Sequence, residues 1–520
     1  MNRYLPGLFV SAFTSAFVLV FGLAFVLLFP APLFGQSCDA GSLPELPDVT
    51  IGEVGIENAP VPHCKIAGVI GPEIHFELLL PETWNGKFVM GGGGGFVGSV
   101  QNMALYYGAL QSGYATVGTD TGHQGNGVDA SWALNNLERI VNFGHQAVHR
   151  TAVTAKALTS AYYETDINRN YFMGCSRGGG QALMSAQRYP HDFEGIVAGA
   201  PAYNWLGLGA QAIQIQQRMF PDPGDLQQAV FRQSDQELLE AAILGQCDAA
   251  DGIEDGILND PRQCDFDVTS LLCKREGLQG CLSDARLKAA QSIYDGPKDQ
   301  HGDLFYGFPF GGESDDEGWS RWLTGGLTLD KKPLSDGRAP PKIPNMHYGF
   351  GNGILKYFVY QDANWDYSTY DFSTFREDSM AVGATLNATD PDLSTFRDRG
   401  GKLLMYQGWS DTAISALATI GYYEEVLAQD KTAKSYARLF MMPGVLHCAG
   451  GKGPSSVNFL NELDQWVESG EAPEQVTAYF LGEDRKPTGS RPLCPYPQRA
   501  EYDGHGNSRK IESFSCSEGQ

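Results

Sequence analysis

The sequence predicts an α/β fold in which a doubly wound core is split by a large inserted lid. From about residue 86, short apolar runs alternate with longer amphipathic runs, the pattern of strands joined by helices in a largely parallel sheet. This pattern breaks after Pro201 and resumes at Lys402, and the stretch between is acidic, aromatic and rich in turns. We therefore expect residues 38–203 and 401–520 to form one core domain and residues 204–400 to form the lid.

The elements follow from short apolar runs that end in loops and from longer amphipathic runs. Before the insertion, the predicted strands and helices are Lys87–Met90, Gly113–Gly118, Asn170–Met173 and Gly195–Ala198 (strands), and His145–Tyr163 and Gly179–Arg188 (helices). After it, they are Lys402–Gln407, Ala437–Met442 and Val476–Phe480 (strands), and Ser415–Leu427 and Val457–Trp466 (helices).

Length and charge narrow the class of protein. At 520 residues and 42% hydrophobic, the chain is large and apolar enough for one large domain with an insertion. Asp and Glu number 61 against 37 Lys and Arg, which gives a net charge of −24. A surface that binds nucleic acid needs clustered positive charge, so the composition excludes nucleic acid as a partner. Nothing in the sequence indicates an oligomeric state.

The N-terminal residues 1–37 predict a secretory signal peptide. Arg3 precedes an apolar run from Leu8 to about Pro30, and small residues follow that run. We expect a secreted or periplasmic protein with no stable membrane partner once this leader is removed. The run is also long enough to span a bilayer, so an uncleaved anchor is the alternative.

The ten cysteines are an even number, and export to an oxidising compartment makes disulfides their default state. Metal ligands and buried thiols are the alternatives. The sequence contains no Cys-x-x-Cys pair that would indicate zinc.

Residues 174–178 read Gly-Cys-Ser-Arg-Gly, which fits the pattern Gly-x-Ser-x-Gly. They lie directly after a predicted strand and directly before a predicted helix. This is the context of a nucleophile elbow, where the serine occupies a strained strand-to-helix turn between small residues. The sequence therefore predicts Ser176 as the nucleophile of an α/β-hydrolase core. A glycine-rich helix start with a solvated serine is the alternative.

A serine nucleophile needs a histidine to accept its proton and a carboxylate to hold that histidine. In α/β-hydrolases these residues follow in the order Ser, acid, His, each on a loop at the carboxyl end of a strand. Asp411 follows the strand that ends at Gln407, and His447 follows the strand that ends at Met442. We therefore predict the triad Ser176, Asp411 and His447. The other histidines lie earlier in the chain, in the lid or near the C-terminal tail.

Two cysteines flank the predicted triad, since Cys175 precedes Ser176 and Cys448 follows His447. If the triad forms, the two sulfurs come close together, and a disulfide between them would fix both turns. Together with Asp411 these residues form a CS-D-HC motif, and with it the chain resembles the tannase and feruloyl esterase family. The resemblance covers most of the chain from about residue 38.

The resemblance implies five disulfides, which the spacing of the cysteines alone does not establish. The implied pairs are Cys175 with Cys448, Cys247 with Cys264, Cys273 with Cys281, Cys38 with Cys64, and Cys494 with Cys516.

Two backbone N–H groups are required to stabilise the oxyanion of the reaction. We expect one from Arg177, the residue after the nucleophile. The other is expected from the run Gly91–Gly95, at Gly92 or Gly93, because the missing side chains let the backbone approach a substrate. A phosphate-cradling loop is the alternative for this run, but no Lys-Ser or Lys-Thr follows it.

Residues 247–260 crowd carboxylates into turns that Gly252 and Gly256 allow. Such crowding is unfavourable without a cation, and oxygen ligands at this density suit Ca²⁺. The segment is similar to the calcium loop in the lid of fungal feruloyl esterases, which implies a structural Ca²⁺. The implied ligands are the side chains of Asp248, Asp251 and Asp255 and the carbonyl groups of Ile253 and Ile257. A solvated acidic surface loop is the alternative.

The resemblance implies a secreted serine esterase that hydrolyses esters of aromatic acids, of the feruloyl, hydroxycinnamoyl or galloyl type, through an acyl-enzyme. It also implies that Ile414 lines the acyl pocket. Arg321 is the candidate partner for an anionic substrate, and the lid aromatics that could stack on a substrate ring are Trp319, Trp322, Phe308 and Phe310. The alternatives are a terephthalate mono-ester hydrolase, a lipase or general carboxylesterase, and a non-catalytic binding protein on the same fold.

Overall fold

The computed structural model describes residues 37–275, 277–325 and 343–518. The predicted leader, apart from its last residue, lies outside the described residues. Within them, no helix has both the length and the apolar character needed to cross a bilayer.

Nine strands form a central sheet in the order β1-β2-β3-β5-β4-β6-β7-β10-β11. The strands are β1 (Val49–Glu57), β2 (His63–Ile70), β3 (Ile74–Pro81), β4 (Lys87–Gly91), β5 (Ala115–Thr119), β6 (Arg169–Cys175), β7 (Gly195–Gly199), β10 (Lys402–Gly408) and β11 (Ala437–Met442). Neighbouring strands from β1 to β5 pair antiparallel, and those from β5 to β11 pair parallel. The predicted α/β class is therefore confirmed.

The first three strands were not predicted, because they lack the strand–helix alternation on which the sequence analysis relied. Short turns join them into an antiparallel meander, and β2 and β3 are separated by only three residues. Antiparallel strands need no crossover helix, so no amphipathic run marks their boundaries.

The remaining strands lie outside the central sheet and form two-stranded ribbons. They are β8 (Lys298–Asp299), β9 (Gly302–Asp303), β12 (Val476–Leu481), β13 (Pro487–Leu493), β14 (Arg499–Tyr502) and β15 (Phe514–Ser517). The run Val476–Phe480 does form a strand, but β12 pairs with β13 and does not extend the sheet. The reason is visible in its burial: Val476 is buried whereas Tyr479 is exposed, so one face meets solvent. Central parallel strands are instead buried on both faces.

Five helices accompany the strands of the core: α1 (Leu137–Val141), α2 (Ala147–Tyr163), α3 (Arg177–Arg188), α10 (Ala416–Gln429) and α11 (Phe459–Ser469). The helix predicted from His145 begins earlier, because a π-helical turn at Asn142–Gln146 joins α1 to α2. The sequence suggested a start after Gly144, since glycine is unfavourable inside helices. Gly144 is needed for close packing, because a Cβ at this position would lie 2.7 Å from the carbonyl oxygen of Thr385.

The described residues between β7 and β10 add helices but no strand to the central sheet. These helices are α4 (Trp205–Met219), α5 (Gln233–Cys247), α6 (Asp284–Tyr294), α7 (Met346–Gly353), α8 (Phe375–Leu386) and α9 (Ser394–Asp398). Part of this insertion has a core of its own, which includes Ile215, Ile243 and Trp319. A second cluster joins Trp205 and Ile354 of the insertion to residues of the core such as Phe143. The insertion is therefore packed onto the carboxyl edge of the sheet.

Candidate active site

The three predicted triad residues lie on loops at one edge of the sheet. Ser176 directly follows β6, Asp411 follows β10 after a two-residue turn, and His447 follows β11. These strands are linked through β7 and run parallel, so their carboxyl ends meet at the same edge. The residues are far apart in sequence, and the sheet order brings their loops together.

Ser176 lies on a strained turn between β6 and α3, with φ 62° and ψ −124°. Such a conformation is costly for a residue with a Cβ and persists only where the surroundings impose it. A Cβ at Gly174 would lie 2.6 Å from the backbone of Gly178, so the turn requires glycine at that position. The structure thus has the sharp strand-to-helix turn that the Gly-x-Ser-x-Gly pattern predicts.

Asp411 and His447 are joined by a hydrogen bond of 2.9 Å between Oδ2 of Asp411 and Nδ1 of His447. The other carboxylate oxygen of Asp411 accepts hydrogen bonds from the backbone N–H groups of Ala413 and Ile414, at 2.8 and 3.0 Å. The amide of Gln407 donates to Oδ2 at 2.9 Å. Asp411 is buried, so this network holds the carboxylate in one orientation and fixes the imidazole through it.

A disulfide joins Cys175 to Cys448, with their Cα atoms 5.9 Å apart. It connects the turn of Ser176 directly to the loop of His447. The other four disulfides also join the pairs that the resemblance implies: Cys38–Cys64, Cys247–Cys264, Cys273–Cys281 and Cys494–Cys516.

We expect the double variant Cys175→Ala/Cys448→Ala to lower kcat for ester hydrolysis by roughly ten- to a hundredfold, because small misplacements of reacting groups are costly. Steady-state kinetics, with circular dichroism as a check on folding, measures this effect. The matched control is Cys273→Ala/Cys281→Ala, which removes a disulfide between half-buried loop residues of the insertion and leaves kcat unchanged. An unchanged kcat in the first variant would show that the bridge does not position the triad.

The glycine run packs against the nucleophile turn, but not as predicted. A Cβ at Gly92 would lie 2.6 Å from Cα of Gly178, so only glycine allows this approach. However, the Gly92 N–H donates to the carbonyl of Met173 at 2.8 Å, and the Gly93 N–H donates to Oε1 of Gln181 at 3.1 Å. The N–H groups at both positions predicted for the second donor are thus already bonded, which corrects that part of the prediction.

Two backbone N–H groups remain suited to an oxyanion, that of Arg177, which the sequence had already indicated, and that of Gly95. Gly95, from the same run, lines a cavity together with Ser176 and Arg177. Arg177 is the first residue of α3, and the first N–H groups of a helix have no partner within the helix.

The cavity beside Ser176 is mainly apolar and is lined from both the core and the insertion. Ile414 lines it, as the resemblance implies. Of the lid aromatics named from the sequence, Trp322 lines it, and its ring centroid lies 5.0 Å from that of His447. The other three pack in or against the core of the insertion: Trp319, Phe308 and Phe310.

Arg321, the candidate partner for an anionic substrate, is not among the residues that line this cavity. It forms an ion pair of 3.1 Å with Glu317 and is 38% exposed. The structure therefore does not place Arg321 where it would meet a substrate bound at Ser176.

His347 also lines the cavity, although no motif in the sequence marks it as a site residue. It lies on α7 of the insertion, and its Nε2 is 3.3 Å from the carbonyl oxygen of Ala413, two residues after Asp411 in the chain. Burial lowers the pKa of His347 to about 4, so the imidazole is neutral at neutral pH. No spacing or motif links residue 347 to residue 413, because only the packing of the insertion brings them together.

The acidic loop is closed by the Cys247–Cys264 disulfide. Burial, together with the charges of Asp255 and Asp248, raises the pKa of Asp251 to about 6. Arg491 forms an ion pair with the Asp255 carboxylate. Among the described residues, no group of three or more His, Cys, Asp and Glu side chains is arranged to hold a metal ion. The oxygen donors suit Ca²⁺ in chemistry, but the side chains are not gathered around one point, so the calcium site stays a prediction.

Comparison with known proteins agrees with this geometry. The family model "Tannase and feruloyl esterase" matches residues 59–517. The chain is 32% identical over 518 residues to a mono(2-hydroxyethyl) terephthalate hydrolase from Piscinibacter sakaiensis, with 87% of this chain and 84% of that protein covered. It is 31% identical over 465 residues to feruloyl esterase B from Aspergillus niger, with 85% and 83% covered.

The fold is also similar to that of feruloyl esterase B from Aspergillus oryzae, with a TM-score of 0.80, 27% identity, and coverage of 91% of this chain and 98% of that one. A tannin acyl hydrolase from Aspergillus niger has the same fold, with a TM-score of 0.71, 22% identity, and 92% and 93% covered. Since the family model spans most of the chain and the relatives are matched over most of their own length, this chain belongs to the tannase and feruloyl esterase family and is a carboxylic ester hydrolase.

Proposed function

We propose that this chain is an exported serine esterase that hydrolyses esters of aromatic carboxylic acids through an acyl-enzyme. The hydrogen bond between Asp411 and His447 carries the proposal, because it orients the imidazole on a loop that a disulfide ties to the turn of Ser176. The apolar cavity at Ser176 supports an apolar ring as the acyl group. Export is supported by the five disulfides, which persist in oxidising compartments.

In the first step, Oγ of Ser176 attacks the ester carbonyl carbon while Nε2 of His447 accepts the hydroxyl proton. The carbonyl electrons move to the oxygen, which becomes an oxyanion. The imidazolium is stabilised by Asp411, which accepts from Nδ1. When the oxyanion collapses, the bond to the alcohol breaks and His447 gives its proton to the leaving alcohol.

In the second step, a water molecule repeats the sequence. His447 accepts a proton from the water as it attacks the acyl carbon, and the bond to Oγ of Ser176 then breaks, with the proton returning to the serine. We propose that the oxyanion of each step accepts from the backbone N–H groups of Arg177 and Gly95. The start of α3 adds the positive end of a helix dipole at this point.

A panel of esters tests the substrate class. We expect methyl ferulate, methyl gallate or both to be hydrolysed with a kcat/KM at least tenfold above those for p-nitrophenyl butyrate and a terephthalate mono-ester, measured by initial rates at neutral pH. The reason is that the cavity is mainly apolar, and the guanidinium of Arg177 in its wall already donates to two backbone carbonyls, so the cavity suits a neutral aromatic acyl group. A strong preference for the terephthalate mono-ester would indicate that activity instead, and a preference for long aliphatic acyl esters would indicate a lipase.

We also propose that the acidic loop binds Ca²⁺ through the carboxylates of Asp248, Asp251 and Asp255 and the carbonyl groups of Ile253 and Ile257. Crowding of like charges in a loop closed by a disulfide supports this, since a bound cation offsets the repulsion. The ion would stabilise the fold of the loop.

Removing calcium therefore lowers the Tm. We expect chelation with EDTA to lower it by a few degrees and added Ca²⁺, but not Mg²⁺, to restore it, because a ligand that binds the folded state stabilises it. The variant Asp251→Asn is expected to lose most of this response. A Tm that is the same with and without chelator in differential scanning calorimetry would contradict the proposal.

A further inference from the structure

Three buried polar atoms in residues that line the cavity lack a hydrogen-bond partner among the described residues. They are Nδ1 of His347, Nε1 of Trp205 and Nε of Arg177. The three residues are 4%, 3% and 1% exposed, and all of them line the cavity that contains Ser176. Buried polar atoms in proteins are nearly always hydrogen-bonded, and an unmade bond is costly. Their position therefore points to a partner that arrives with the substrate.

The hydrogen bonding of His347 decides which kind of partner it needs. Its Nε2 faces the carbonyl oxygen of Ala413 at 3.3 Å, and a carbonyl can only accept. The proton of the neutral ring therefore lies on Nε2, which leaves a lone pair on Nδ1. Because burial lowers the pKa of this histidine, Nδ1 does not take up a proton near neutral pH. Nδ1 is thus an acceptor that requires a donor.

A carboxylate does not meet this requirement, since an ionised carboxylate only accepts hydrogen bonds. Arg177 also lines the cavity, but Nη2 of its guanidinium donates to the backbone carbonyls of Phe143 and Gly144, and the group lies over the Phe143 ring at 4.2 Å. It is therefore held at the junction of α1 and α2, and its Nε is a further donor in the wall. A hydroxyl group, in contrast, donates one hydrogen bond and accepts others, so it suits both an acceptor and a donor in the wall.

We propose that His347 is a specificity-determining residue whose Nδ1 accepts a hydrogen bond from a hydroxyl group on the acyl ring of the substrate. Trp205 donates from Nε1 to an oxygen substituent of the same ring. This inference rests on the proposed function, because it assigns the acyl group to the cavity beside Ser176. It goes further in naming the two atoms that distinguish a hydroxylated ring from an unsubstituted one.

The test compares matched esters on the unmodified enzyme and on variants of His347. The substrates are methyl cinnamate, its 3-hydroxy and 4-hydroxy derivatives, and a monomethyl terephthalate. We expect at least one hydroxylated ester to exceed methyl cinnamate in kcat/KM by tenfold or more, since a buried group built to bond a hydroxyl discriminates against its absence. In His347→Phe this ratio falls to about one, while His347→Asn, which keeps an acceptor oxygen, retains part of it. Trp205→Phe lowers the ratio by a smaller factor.

The ratio of kcat/KM between hydroxylated and unsubstituted esters distinguishes a role of His347 in specificity from a structural role. If the substitution damaged the loop of Asp411, all esters would be hydrolysed more slowly to the same extent. Equal loss for hydroxylated and unsubstituted esters in His347→Phe would overturn the inference. The inference would also be overturned if the unmodified enzyme showed a ratio near one between hydroxylated and unsubstituted esters, or preferred monomethyl terephthalate. These two results do not depend on the folding of any variant. If the ratio is near one, hydrolysis of the hydroxylated and unsubstituted cinnamates would still support the proposed aromatic esterase. Failure to hydrolyse any of the four esters would instead overturn the proposed function.

Discussion

Replacing Ser176 with alanine abolishes ester hydrolysis, with kcat lowered by about 10⁴-fold or more. The hydroxyl is the group that forms the bond to the acyl carbon, and no nearby side chain replaces it. The turn itself is preserved, because alanine differs from serine only by the hydroxyl and experiences the same strain at φ 62°. The measurement is an initial-rate assay on the preferred ester, with Tm compared to confirm that the variant folds.

Ser185→Ala is the matched control for this variant. Ser185 lies on α3, the helix that follows Ser176, is buried, and donates its hydroxyl proton to the carbonyl of Gln181 rather than facing the cavity. We expect it to retain full activity. Hydrolysis by Ser176→Ala at more than a few per cent of the normal rate would contradict the assignment of the nucleophile.

Replacing Asp411 with asparagine is expected to lower kcat by about 10⁴-fold with little change in KM. The shape is conserved, and the amide oxygen can still accept from the backbone N–H groups of Ala413 and Ile414. The amide NH₂ then faces Nδ1 of His447 and donates to it, so the proton of the imidazole moves to Nε2. In that tautomer, the histidine cannot accept the proton of Ser176.

Measuring kcat from pH 6 to pH 9 and testing a surface variant as a control complete this experiment. Asp484→Asn changes an exposed aspartate in the β12–β13 turn and is expected to leave kcat unchanged. If Asp411→Asn retained activity within tenfold of the unmodified enzyme across pH 6–9, Asp411 would not be the residue that orients His447.

The sequence identified those parts of the site whose signals are local. Ser176 lies in a five-residue pattern between a strand and a helix, and the residues that the structure joins at 2.9 Å, Asp411 and His447, each follow a strand. The cysteines beside them added a constraint between distant segments. The second oxyanion donor was assigned to Gly92 or Gly93, whose N–H groups are already bonded, because the sequence does not reveal which N–H groups the neighbouring residues bond.

Features that depend on the packing of distant segments could not be predicted. His347 acquires its place because α7 of the insertion packs against the loop after β10, and nothing in the spacing encodes that contact. The strand Val476–Phe480 was predicted from its apolar pattern, but the pattern does not specify the partner with which it pairs.

The Cys175–Cys448 disulfide spans 273 positions, so it closes a covalent ring that contains the whole insertion. A protease that cuts the chain once inside the insertion would open this ring without separating its ends. Ser176 and His447 would remain on one covalently connected molecule, and the two fragments would part on an electrophoresis gel only after reduction. For the exported enzyme that we propose, the disulfide would thereby keep the triad on one molecule after a first cleavage of the insertion.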